Sequence, residues 1–136
     1  MSKEALKRGT KTRRKVLGDE HVDRALRTET PFNAEFQRLI TRYAWDEIWN
    51  RPHFPRKTRR LLTLAMTAAQ ARWEEFRIHV RSGLASGDLE ADDIKEVLLQ
   101  SAIYCGIPVA NHGFREARAE MDLLDAAKAG KGRRKR

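Results

Sequence analysis

Arg72, Glu75 and His79 stand three and four residues apart. On a helix that spacing stacks a cation, a carboxylate and an imidazole over successive turns of one face, with neighbouring Cβ atoms about 5–6 Å apart. A guanidinium can clamp a carboxylate bidentately, and an imidazole beside a carboxylate is held in its protonated form, ready to deliver a proton. Together they could hold an anion and move a proton. The same row also fits the solvated polar edge of an amphipathic helix, and spacing alone leaves both readings open.

The element that must carry this row is the stretch Thr58–Leu84, which reads as one long helix. Leu62, Ala65, Ala69, Trp73, Phe76, Val80 and Leu84 recur at three- and four-residue steps and draw a single apolar stripe. Asn50-Arg51-Pro52-His53-Phe54-Pro55 forms the rigid entry to it, and Ser86-Gly87 ends it, with Gly87 able to turn left-handed. Upstream, Asp19 opens a helix with Val22, Ala25 and Leu26 inward. Asn33 opens another, with Phe36, Leu39, Ile40, Tyr43 and Ala44 as its stripe. Trp45 and Trp49 flank that stripe one turn apart, as packing or as an aromatic wall for a planar ligand. Downstream, Glu90, Asp92 and Asp93 suit the positive end of a helix using Ile94, Val97, Leu98, Ala102 and Ile103. A last helix begins near Pro108 and uses Val109, Phe114, Ala117, Met121 and Leu124. No segment alternates with period two, so the fold class is all-α, a bundle of about five to six helices.

The net charge of +9 lies at the ends. Residues 1–15 hold seven basic side chains and one acid, and residues 126–136 hold six basic and no acid, which leaves 15 basic and 18 acidic residues on the body from 16 to 125. The expected organisation is a basic flexible tail over 1–15, one helical domain over 16–125 and a second basic flexible tail over 126–136. Such tails attach loosely to nucleic acid without reading a sequence, so a nucleic-acid function is disfavoured. One cysteine, Cys105, excludes an internal disulfide and a CxxC pair, and the four histidines make no HxxxH motif, so no metal site is expected. No apolar run has the length of a membrane span and the N-terminus has no apolar signal core, so a cytoplasmic location is expected.

The segments VLGDEHVDRAL (16–26), FQRLITRYAWDEIW (36–49), RPHFPRKTRRLLTLAMTAA (51–69), WEEFRIHVR (73–81) and IKEVLLQSAIYCGIPVAN (94–111) resemble the carboxymuconolactone decarboxylase family, in the family's order. The resemblance implies the AhpD-like helical fold and a homo-oligomer, a hexamer. It implies a carboxy-lyase without cofactor that takes a lactone carboxylate, γ-carboxymuconolactone, to 3-oxoadipate enol-lactone in the β-ketoadipate pathway of aromatic catabolism. Redox members of the superfamily carry CxxCxxxH on the central helix, and that pattern falls here on Arg72, Glu75 and His79. Asp46 departs from the glycine common at its position, and the basic ends lie outside the family pattern.

In the implied chemistry, loss of CO₂ from the γ-carbon leaves an electron pair that the ring double bond carries onto the lactone carbonyl oxygen. His79 is the expected proton donor or oxyanion stabiliser, supported by Glu75. Arg72 is the first choice to clamp a substrate carboxylate, with Arg59 and Arg60 as further candidates. Trp45 and Trp49 are the expected apolar wall around the leaving carboxylate. Two other classes remain: a thiol or peroxidase-type stress protein working through Cys105, and a nucleic-acid-associated protein working through the ends.

Overall fold

The computed structural model describes residues 2–134. Among them are seven α-helices, one π-helical segment and no strand: α1 (Lys3–Leu17), α2 (Asp19–Arg27), α3 (Ala34–Ile40), π1 (Thr41–Ile48), α4 (Arg56–Ala69), α5 (Trp73–Ser86), α6 (Ala91–Tyr104) and α7 (Ile107–Arg134). The all-α class holds, with more helices than the five or six expected. Two compact units divide the chain between Arg59 and Arg60, in the first turns of α4.

The first unit differs most from expectation. Its basic N-terminal segment is a helix rather than a tail. Ser2 caps it, its side chain accepting from the Ala5 N–H at 3.2 Å, and Ala5, Gly9, Arg13 and Val16 form a buried face against π1. Gly9 is required there, because a Cβ would collide with the Thr41 carbonyl oxygen. The charge count missed this face because its basic residues find partners inside the unit. Arg8 grips Asp46 through Nε and Nη2, at 3.0 and 3.1 Å, and Arg14 reaches Asp19 and Asp23 at 3.1 and 2.8 Å. Thus Asp46 and the basic start bind each other.

Alpha helix α3 runs directly into π1, where the Trp49 N–H reaches back five residues to the Ala44 carbonyl at 2.9 Å. Since α1 covers Thr41 and Trp45, those residues are buried, whereas the expected inward stripe is exposed: Phe36 by 58%, Leu39 by 45% and Tyr43 by 60%. Asn33 stands at the N-cap of α3, but its side chain accepts from the Thr30 N–H instead of a helical amide.

The second unit holds the apolar core: Leu64 and Ala68 from α4, Phe76 and Val80 from α5, Leu89, then Ile94 and Leu98 from α6 and Ala117 from α7. Each large side chain among these contributes about 1.5–3 kcal/mol by leaving water. Both halves of the expected long helix enter this one cluster, which a straight helix of about 40 Å could not achieve. The chain therefore breaks at Gln70–Arg72. Ala71 takes φ 55°, its N–H donates to the Ala68 carbonyl at 3.0 Å and the Arg72 N–H to that of Thr67 at 2.8 Å, a Schellman closure. Further on, Gly87 is left-handed as expected (φ 82°), and Glu90 with Asp93 forms a capping box for α6. Ile103, expected inward, is 78% exposed. Helix α7 continues through Arg134, so most of the expected C-terminal tail is helical; positions 135 and 136 lie outside the described residues.

Candidate active site

Glu75 and His79 sit one turn apart on α5, Glu75 exposed in the first turn and His79 half-buried with its Nδ1 shielded from solvent. Arg72 does not continue their row. It is the N-cap residue of α5 with φ −86° and ψ 70°, and its side chain is exposed. The break at Ala71 therefore puts Arg72 at the positive end of α5, with Glu74 and Glu75 offsetting that end in the first turn. Two of the three residues share a helix face, and the third stands at the mouth of the same helix.

Arg60 serves the core. Its side chain is 0% exposed, Nε donates to Asp88 Oδ2 at 2.8 Å, and Nη1 points to Ser82 Oγ at 3.4 Å. A guanidinium held this way is a structural brace between α4 and the α5–α6 turn, and it is not presented to a substrate. Arg59 is also engaged: its Nη2 donates to the Arg51 carbonyl at 3.2 Å and its guanidinium lies 5.7 Å from the Phe54 ring centroid. Trp45 and Trp49 stack on each other at 5.5 Å and 27°, with Trp45 buried. Arg59, Trp45 and Trp49 belong to the first unit, and Arg60, Arg72, Glu75 and His79 to the second.

A second imidazole–carboxylate pair escaped the sequence reading. On α7, His112 Nε2 lies 3.1 Å from Glu116 Oε1, and the imidazole stacks on Trp73 at 4.3 Å and 19°. Along the same seam Arg77 Nε reaches Glu116 at 3.4 Å and Glu120 at 3.0 Å, and Arg81 Nη1 reaches Glu120 at 3.4 Å. Glu120, 2% exposed, is thus held by two arginines. The signal was present as the four-residue step from His112 to Glu116; the partner ring, Trp73, comes from another helix and needed the fold.

Between α4 and α6 runs a groove of about 610 Å³, lined by Leu62, Ala65, Met66, Val97 and Tyr104 among others. Its only ionisable side chains besides Tyr104 and Cys105 are Asp93 and Glu96, and none is cationic. The lining is mostly apolar and offers no cation to an anionic ligand. Cys105 lines it as a free thiol without a cysteine partner.

Residues 34–119 match the family model described as the carboxymuconolactone decarboxylase family. Similarity to 4-carboxymuconolactone decarboxylase of Acinetobacter baylyi is 40% identity over 111 residues, covering 82% of each chain. The chain belongs to the carboxymuconolactone decarboxylase family. It is also 45% identical over 100 residues to the nitrosuccinic acid decarboxylase of Metarhizium robertsii, covering 74% of this chain and 69% of that one. A 36-residue stretch is 58% identical to 4-carboxymuconolactone decarboxylase of Pseudomonas putida, covering 26% of this chain and 75% of that one. Among the described residues no helix is long and apolar enough to cross a membrane.

Proposed function

We propose that the chain is a carboxy-lyase that decarboxylates 4-carboxymuconolactone to 3-oxoadipate enol-lactone, in aromatic catabolism. The observation that carries this is the 40% identity across 82% of both chains to an enzyme of that name. The nitrosuccinic acid decarboxylase relative supports a second substrate and also defines what the two share. In both acids the carbon that loses CO₂ carries a carboxymethyl arm and an acceptor ending in oxygen: a conjugated lactone in one, a nitro group in the other. The substrate class is a succinate with such an acceptor on its second carbon.

Decarboxylation breaks the bond to the departing carboxylate, and its electron pair passes onto the acceptor oxygen. A proton then returns to carbon. The substrate supplies its own electron sink, so the protein has three tasks: hold the retained carboxylate, stabilise the charged oxygen and deliver the proton. Arg72 at the mouth of α5 takes the retained carboxylate, and His79, with Glu75 one turn before it, donates the proton. The chain works as a homo-oligomer, a hexamer, in the cytoplasm; exposed Ile103, Tyr104 and Ile107 are the kind of surface that assembly covers.

The test is loss of lactone absorbance with equal release of CO₂ on adding purified protein, with nitrosuccinate run in parallel. Release from neither acid overturns the reading. His79→Ala should lower kcat by about 10²–10⁴, and Arg72→Ala should act mainly on KM. His112→Ala is the comparator: a large kcat loss there, with His79→Ala unaffected, moves the proton donor to the α5–α7 seam. Activity lost in Cys105→Ser alone restores the thiol reading.

A further inference from the structure

Each unit of the chain leaves one apolar face open to solvent, and the two faces complement each other. On the first unit, Phe32, Phe36, Leu39 and Tyr43 are exposed by 99%, 58%, 45% and 60%. Their steps of four, three and four place them along one side of α3 and π1. The opposite side buries Thr41 and Trp45 against α1, so nothing in the first unit covers the stripe. On the second unit, the groove between α4 and α6 is lined by Leu62, Met66 and Val97 together with the small Ala65 and Ala69. Exposed apolar surface of this extent marks an interaction site.

Three features match ridge to groove. Large rings at i, i+4 and i+11 with a leucine at i+7 are the anchors of a helix laid in an apolar groove, and Ala65 and Ala69 leave room for them. The lengths agree, since residues 36–43 and 62–69 each rise seven steps, about 10 Å of helix. The charges are opposite: residues 34–43 carry Arg38 and Arg42 against one acid, Glu35, whereas the charged side chains of the groove are Asp93 and Glu96. The groove also runs into Tyr104, 80% exposed beside Ile103 and Ile107. We propose that the α4–α6 groove seats the α3–π1 stripe of a second copy of this chain. This rests on the homo-oligomer of the proposed function and assigns the two faces that build it.

The chain supplies its own reporter, because its single cysteine, Cys105, lines the groove and is half-buried in the single chain. Full-length protein is followed over a dilution series by light scattering and by the rate of Cys105 reaction with a thiol reagent. The wild-type oligomer should protect Cys105, and its reactivity should rise at least tenfold in step with dissociation. Phe36→Glu, at an exposed position, should raise the dissociation constant about tenfold or more, with helicity unchanged by circular dichroism. A Cys105→Ser chain carrying Phe36→Cys, co-expressed with wild type, should be joined to it by a short bismaleimide. An oligomer whose Cys105 reacts equally before and after dissociation overturns the proposal and leaves the homo-oligomer standing. A monomer throughout overturns both. A link formed within one chain when Phe36→Cys is made with Cys105 retained, at a dilution where light scattering finds monomer, also overturns it, because the stripe then covers the groove of its own copy. Should the variants fail to fold, the wild-type dilution series decides alone.

Discussion

Asp88→Ala and Arg60→Met remove the two halves of one ion pair and should have unequal costs. Arg60 is 0% exposed and Asp88 19%, and Nε and Oδ2 are 2.8 Å apart. Deleting Asp88 takes a charged partner from a guanidinium in the core, and breaking a buried pair from one side costs about 3–5 kcal/mol. The partial exposure of Asp88 points to the lower end, about 3 kcal/mol. Deleting the charge of Arg60 leaves a carboxylate that reaches water, and methionine fills much of the volume, so the cost there should be about 1 kcal/mol. With an unfolding entropy of about 2.1 cal/mol/K per residue, about 3 kcal/mol lowers Tm by about 10 °C. Urea denaturation followed by circular dichroism measures both variants, and the double variant should resemble Arg60→Met rather than the sum. Substrate kinetics complete the test, since a brace affects stability while a substrate clamp affects KM. A tenfold rise in KM for Arg60→Met at unchanged stability would refute the assignment of Arg60 to the core.

Three other outcomes follow from the local geometry. Ala71 sits at φ 55°, where glycine is unstrained, so Ala71→Gly should stabilise the chain by about 0.5–1 kcal/mol in the same denaturation assay. Gly9→Ala drives a methyl into the Thr41 carbonyl and should cost about 1–3 kcal/mol, seen as lost hydrogen-exchange protection in α1. The hydrogen bond from Arg8, assisted by Asn50, holds the Asp46 carboxyl below its ordinary value. The Asp46 contribution is therefore complete above the unfolded pKa of about 4 and is lost as pH falls through the lower folded value; Asp46→Asn should abolish that part of the acid dependence in Tm-versus-pH curves.

Much of this was legible in the residues themselves. Helical periodicity and the absence of alternation specified an all-α chain, because those patterns follow from backbone geometry whatever the neighbours are. Gly87 and the acidic residues Glu90, Asp92 and Asp93 marked their helix ends for the same reason, since helix termini are local chemistry; the reciprocal Glu90–Asp93 box came from the structure. The family segments carried the reaction class. What sequence could not decide was which partner each face meets. The alanine-rich run before Arg72 favours continued helix, yet the core gathers Leu64 and Phe76 into one cluster, and the chain closes between them. That closure moves Arg72 off the row with Glu75 and His79. A count of charges reads residues 1–15 as solvated, but Asp46, Gln37, Asp19 and Asp23 give three of those arginines partners within the unit, and the helix they form decides that Trp45, and not Phe36 or Tyr43, is buried. His112 became a candidate only through Trp73, and Arg60 ceased to be one only through Asp88. In each case the deciding group is distant in sequence, and only tertiary packing brings it within reach.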